Sequence, residues 1–257
     1  MAKSMREQTR SDSTIETGEN PLKDLLVWRV NLIGAWSPVA YGLIVMFGWL
    51  IIGGFWPLHA PSAGAEEIAA FFRTNTNSIR IGLVTMMFGA AFFIPFTATV
   101  AHYVSRIEGR YGPLSQWVTL CGFANTIFTF YPAIYWLTNA YRPNERTAEQ
   151  IYFLNDFTWF AIIGAATLVY PMFIAVGIAI LHDSSKNPVF PRWFGFSSLF
   201  VFVMNCPAQL LFFFKTGPFA WNGLFAFYVP FTAFFFWILT TGYFMRKELL
   251  RQKPLPV

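Results

Sequence analysis

Six apolar runs, each as long as or longer than the ~20 residues a helix needs to cross a bilayer, decide what this chain can fold into. They fall at about 30–56, 81–104, 114–139, 155–181, 193–214 and 218–245. In hydrocarbon every backbone N–H and C=O must find a partner within the protein, and for single runs of this length the helix is the solution. The expected fold is an all-α membrane protein of six transmembrane helices. Charged residues are 12% of the 257-residue chain, about half the roughly 25% of a globular domain. Six spans with short connections leave no room for a separate soluble domain. The expected organisation is a cytoplasmic N-terminal tail (1–29), a six-helix domain (30–246) and a cytoplasmic C-terminal tail (247–257).

The first run is too long for a secretory h-region and lacks a small-residue cleavage site, so it is expected to stay as span one. Orientation follows the distribution of Lys and Arg. With the N-terminus inside, Lys3, Arg6, Arg10, Lys23, Arg29, Arg106, Arg110, Lys186, Arg192, Arg246, Lys247, Arg251 and Lys253 are cytoplasmic. Arg73, Arg80, Arg142, Arg146 and Lys215 lie on the other side, a bias of thirteen to five. Both termini are therefore expected in the cytoplasm of a bacterial-type inner membrane. This distribution also accounts for the formal charge of +5 without a nucleic-acid partner.

Two connections carry helix signals. Ser62 to Phe72 has early acids, and Ile68, Phe71 and Phe72 at i, i+3, i+4, which predicts a short helix lying in the outer interface. Thr147-x-x-Gln150 is a capping-box pattern opening span four. From Thr147 to Leu181 that helix runs about 50 Å, against a hydrocarbon core of ~30 Å, so its first turns are expected outside the bilayer. Each span also holds one proline: Pro38, Pro95, Pro132, Pro171, Pro207 and Pro230. Proline removes an intrahelical bond and kinks the helix, and six kinked helices leave room for a cavity. Proline is also simply commoner in membrane helices.

Polar side chains recur at helical spacing inside these runs. On span three Gly122, Asn125, Thr129, Pro132, Trp136 and Asn139 share a face, with Tyr131, Tyr135, Thr138 and Arg142 on the adjacent stripe. Span four aligns Asp156, Thr167 and Tyr170; span five aligns Ser198, Asn205 and Gln209. Amides and hydroxyls in hydrocarbon cost free energy unless partnered, so these faces should turn inward. Two readings follow. The groups are interhelical hydrogen bonds worth ~0.6 kcal/mol each, or they line a polar-aromatic pocket. The ligand-binding candidates are Asn125, Thr129, Tyr131, Tyr135, Asn139, Asp156, Tyr170, Asn205 and Gln209.

Asp156 is the acid within a proposed span, near Arg142 and Arg146, and pairing with them is the simpler reading than proton relay. His102 and His182 sit at helix C-termini, where the dipole favours a cation; with Asp183 they make at most part of a metal site. Cys121 and Cys206 lie at different depths of their helices and read as small buried apolar residues rather than a disulfide. No metal and no cofactor is assigned. There is no G-x-S-x-G, H-E-x-x-H or C-x-x-C. The glycines of span one, Gly34, Gly42, Gly48, Gly53 and Gly54, fit close helix packing. The layout resembles that of six-helix inner-membrane proteins of bacteria, and no motif carries a function over from them.

The function expected from these features is non-enzymatic. The chain binds an apolar or amphipathic small molecule (a lipid, a sterol-like compound or a pigment), with passage of that molecule as the extension of the same reading. The alternative is an accessory or structural subunit of a larger membrane assembly, with membrane-protein partners or a homo-oligomer. A third reading, an intramembrane enzyme acting on lipid, requires Asp156 beside a second titratable group.

Overall fold

The computed structural model describes residues 21–109 and 112–252. Expectations for residues 1–20, Arg110 and residues 253–257, among them Lys3, Arg6, Arg10 and Lys253, lie outside the described residues. Among the described residues the chain is all helical, without strands. Six helices are long and apolar enough to cross a membrane: Leu22–Ile52, Thr76–Glu108, Pro113–Tyr141, Ala148–His182, Arg192–Phe212 and Leu224–Arg251, here spans one to six.

Their limits differ from the expected ones for local reasons. Span one starts eight residues early because Leu22–Trp28 continues the same helix, and it stops at Ile52 instead of Trp56. Gly53 closes its last turn on the Gly48 carbonyl (2.9 Å), and Gly54 takes φ +72°, a conformation that a Cβ disfavours. Span two extends back to Thr76 and takes in Arg80, whose guanidinium donates to the carbonyls of Ala140 and Tyr141 at 3.0 Å each. These are last-turn carbonyls of span three with no partner inside their helix, so the charge is held at a helix end. Span six starts at Leu224 rather than Pro218, because residues 218–223 form a turn in which Gly223 N–H donates to Ala220.

Three of the six prolines lie at a change in helix type, and a fourth follows a break in its helix. Pro95 follows a turn at residues 91–92 that divides span two into Thr76–Ala90 and Phe93–Glu108. Proline has no N–H to offer the carbonyl four residues back, and the Ala91 carbonyl accepts from Ile94 instead, at 3.2 Å. Span four passes from α-helix through a π segment (Phe160–Gly164) and a 3₁₀ segment (Ala165–Val169) before Pro171 opens its last helix, Tyr170–His182. Pro207 opens the 3₁₀ end of span five, and Pro230 follows the π segment Leu224–Tyr228 of span six. Pro38 and Pro132 lie inside continuous α-helices.

The start of span one and the end of span six lie together at one end of the bundle, where Trp28 Nε1–H donates to the Leu249 carbonyl (2.8 Å). We call this the terminal end and the opposite one the loop end. At the loop end the predicted short helix forms as Ala65–Thr74. Its Ile68, Ala69 and Phe72 are buried against the rest of the chain, while Phe71 packs on Phe55 and His59. Arg73 ties this helix to the next connection through the carbonyls of Pro143 and Arg146. The Thr147/Gln150 capping box is present with both of its hydrogen bonds.

The core is aromatic at both ends. Near the loop end Trp49, Trp136 and Trp159 pack with ring centroids 5.2–5.7 Å apart, and Trp159 stacks on Trp221 at 9°. Near the terminal end Phe96, Phe173 and Phe194 surround Trp237. Between them spans one and two touch through backbone: a Cβ on Gly48 would stand 2.8 Å from the Gly82 carbonyl oxygen. The span-one glycines thus act largely as expected, apart from the turn residue Gly54.

Candidate functional site

Between the two aromatic layers lies a cavity of about 70 Å³, to which all six spans contribute. Its walls are mostly apolar, including Met86 of span two, Ile163 of span four, Ala208 of span five, and Phe231 and Phe235 of span six. Polar groups enter from Tyr41, Trp49, Thr129, Tyr170 and Asn205.

Proton bookkeeping shows which of these are spent. Thr129 Oγ1 donates its single proton to the Asn125 carbonyl one turn earlier (2.9 Å). In the 3.0 Å contact with Tyr41 the tyrosine is therefore the donor, and its oxygen keeps lone pairs free. The Asn125 side chain approaches the same hydroxyl without completing a hydrogen bond. Both of its polar atoms are buried and unpartnered, and so is Trp49 Nε1. On the other wall Tyr170 is fully used: its hydroxyl donates to the Asn205 carbonyl (2.7 Å) and accepts from Gln209 Nε2 (3.1 Å). Asn205 donates back to Val201 within its own helix. The Tyr170 hydroxyl thus both donates and accepts, whereas the Trp49 and Asn125 side keeps open hydrogen-bonding capacity.

Of the nine candidates from sequence, Thr129, Tyr170 and Asn205 line the cavity, with Asn125 behind Thr129 and Gln209 behind Tyr170. The whole face from Gly122 to Asn139 on span three is buried, as its periodicity predicted. The neighbouring stripe is not: Tyr131 is 46% exposed, and Tyr135 packs on Phe157 away from the cavity. Asn139 belongs to a separate cluster at the loop end, where it donates to the Ile151 carbonyl while Trp136 Nε1 donates to Asn155 Oδ1.

Asp156 stands apart from the cavity as well. The expected pairing is absent among the described residues: Arg142 bridges Glu145 and Arg146 donates to the Thr138 carbonyl. Asp156 Oδ1 is buried with no hydrogen-bond partner among the described residues, and the positive charge of Lys215 acts on it. Thr167, expected on the face of Asp156 and Tyr170, is exposed. The π and 3₁₀ segments between them advance by angles other than 100° per residue, so a 3.6-residue count fails across them.

Tyr41 and Trp49 were missed as cavity residues. With Val45 they stand at i, i+4, i+8 on span one, a face whose polar handles were hidden inside aromatic rings. Cys206 also departs from expectation: it is exposed, while Cys121 is buried, and both are free thiols. Among the described residues no three His, Cys, Asp or Glu side chains converge as metal ligands. Outside the spans, His59 is held below the usual histidine range by partial burial, which outweighs the opposing Glu67 charge.

Comparison with protein families, curated proteins and solved structures found no match.

Proposed function

We propose that this chain is a polytopic inner-membrane protein of bacterial type that binds, and passes, an apolar or amphipathic small molecule through the central cavity. The observation that carries the reading is the coincidence of an apolar cavity with buried polar atoms that no described residue satisfies: Trp49 Nε1 on its wall and the Asn125 amide behind it. A buried donor without a partner costs about 1–3 kcal/mol. A ligand oxygen at that position would recover such a cost on binding.

Size narrows the ligand. A single water needs roughly 10–15 Å³ on this measure, and an apolar cavity of ~150 Å³ accepts benzene. At about 70 Å³ the site takes a small molecule or the polar end of a larger one, not a whole lipid or sterol. A lipophilic alcohol or ketone fits this chemistry: one oxygen for the free donors, with an apolar body.

In this reading both termini are cytoplasmic, as the excess of Lys and Arg at the terminal end supports. The helix Ala65–Thr74 sits at the outer interface, and the prolines bend the spans around the cavity. The test is an organic-solvent extract of the purified protein, examined by mass spectrometry, compared with Ala208→Leu. The wild type should carry a stoichiometric lipophilic molecule and the cavity-filled variant should not. Equal occupancy in both would refute the assignment.

A further inference from the structure

On the outside of the bundle, between spans one and six, lies a groove of about 430 Å³. Met46, Phe231 and Phe235 line both this groove and the central cavity, so these three side chains stand between the two. All three are only half-buried.

The packing of the two spans is uneven along their length. At the terminal end they meet through backbone: a Cβ on Gly242 would stand 2.8 Å from both the Ala35 carbonyl oxygen and the Pro38 ring. The Trp28–Leu249 hydrogen bond joins them there too. Towards the loop end the gap is filled by rings instead. A Cβ on Gly42 would lie 3.2 Å from the Phe235 ring, Phe227 stacks on Phe231 at 4.1 Å, and Phe231 lies 6.3 Å from Phe235. Both spans turn π-helical beside this seam, at Phe47–Ile52 and Leu224–Tyr228. Such segments concentrate at functional sites. Rotating apolar side chains there breaks no hydrogen bond, whereas parting the terminal end would break the Trp28 bond.

We propose that this seam is a lateral gate. A lipophilic alcohol or ketone dissolved in the bilayer settles in the groove and passes its oxygen towards the free Trp49 Nε1–H when Met46, Phe231 and Phe235 turn aside. Access is from lipid, not from water at either face. The inference rests on the cavity being the binding site proposed above.

Photolysis of diazirine gas in proteoliposomes tests both steps, because the carbene is small enough for the cavity and inserts into any C–H bond it meets. Labelling is read at Ile163 and Val169, buried on the cavity wall, and normalised to Ile238, buried in the packed core. Wild-type labelling at Ile163 and Val169 no higher than at Ile238 would overturn the cavity and the gate together. Given that excess, Phe231→Ala and Phe235→Ala should raise it several-fold at short exposure. Leu239→Ala, on the exposed side of span six and lining neither the groove nor the cavity, should leave it unchanged. Cavity labelling indifferent to the Phe231 and Phe235 changes would overturn the gate while leaving the binding site in place. The milder Phe231→Leu and Phe235→Leu should shift labelling in the same direction, and the Ile238 reference exposes any variant whose core has loosened.

Discussion

Replacing Asn125 by Leu separates the two readings of the polar face of span three. Were the amide an interhelical hydrogen bond, its loss would cost ~0.6 kcal/mol. The structure gives the opposite sign. Asn125 is fully buried, neither its Nδ2 nor its Oδ1 has a partner, and leucine has similar volume without polar atoms. Removing buried, unsatisfied polar atoms relieves a desolvation cost of about 1–3 kcal/mol. In a chain of this size each kcal/mol moves the midpoint by about 2–4 °C, so a central value near 2 kcal/mol raises Tm by roughly 4–8 °C. The assay is tryptophan fluorescence during heating in detergent, on protein freed of bound lipophile, because a ligand adds its own stabilisation. Thr129→Val supplies the contrast: it removes the acceptor of the Tyr41 proton and should lower Tm by a similar amount. A lower Tm for Asn125→Leu, with Thr129→Val unchanged, would refute the assignment of free and spent polar groups.

Other consequences follow from the same accounting. Ser198→Ala leaves the buried Trp237 Nε1–H without its 2.8 Å acceptor and should cost about 1–3 kcal/mol, seen as a lower Tm. Arg80→Met removes both guanidinium bonds to the end of span three; charged hydrogen bonds carry about 1.5–3 kcal/mol, and amide exchange should quicken first near Ala140 and Tyr141. His59 binds its proton less readily folded than unfolded, so the unfolded chain takes up more protons near pH 6. Its contribution is complete above the ordinary histidine value of 6.5 and is lost as pH falls below it. Melting curves from pH 7.5 to 5 should show that loss, and His59→Phe should flatten the step.

The polar stripe of span three was legible because Pro113–Tyr141 is one unbroken α-helix: counting 3, 4, 3, 4, 3 from Gly122 to Asn139 named its buried face. The same counting failed on span four, where the turn type changes twice between Asp156 and Tyr170. Tyr131 and Tyr135 were drawn into the predicted site by chemistry alone, although their stripe faces away from the cavity. Tyr41 and Trp49 were left out because a tyrosine or tryptophan in an apolar run looks like packing until its donor is seen to have no partner.

Hydropathy along the chain determined that there are six apolar helices and roughly where each runs, because span length is a one-dimensional property set by 1.5 Å per residue and the cost of unpaired backbone in hydrocarbon. Sequence periodicity also chose the buried side of any span that stays α-helical. Only the tertiary structure decided where helices change type, that Asp156 meets neither arginine, and that the Asn125 amide completes no hydrogen bond. Those outcomes depend on distances between segments far apart in the chain, which no local pattern encodes.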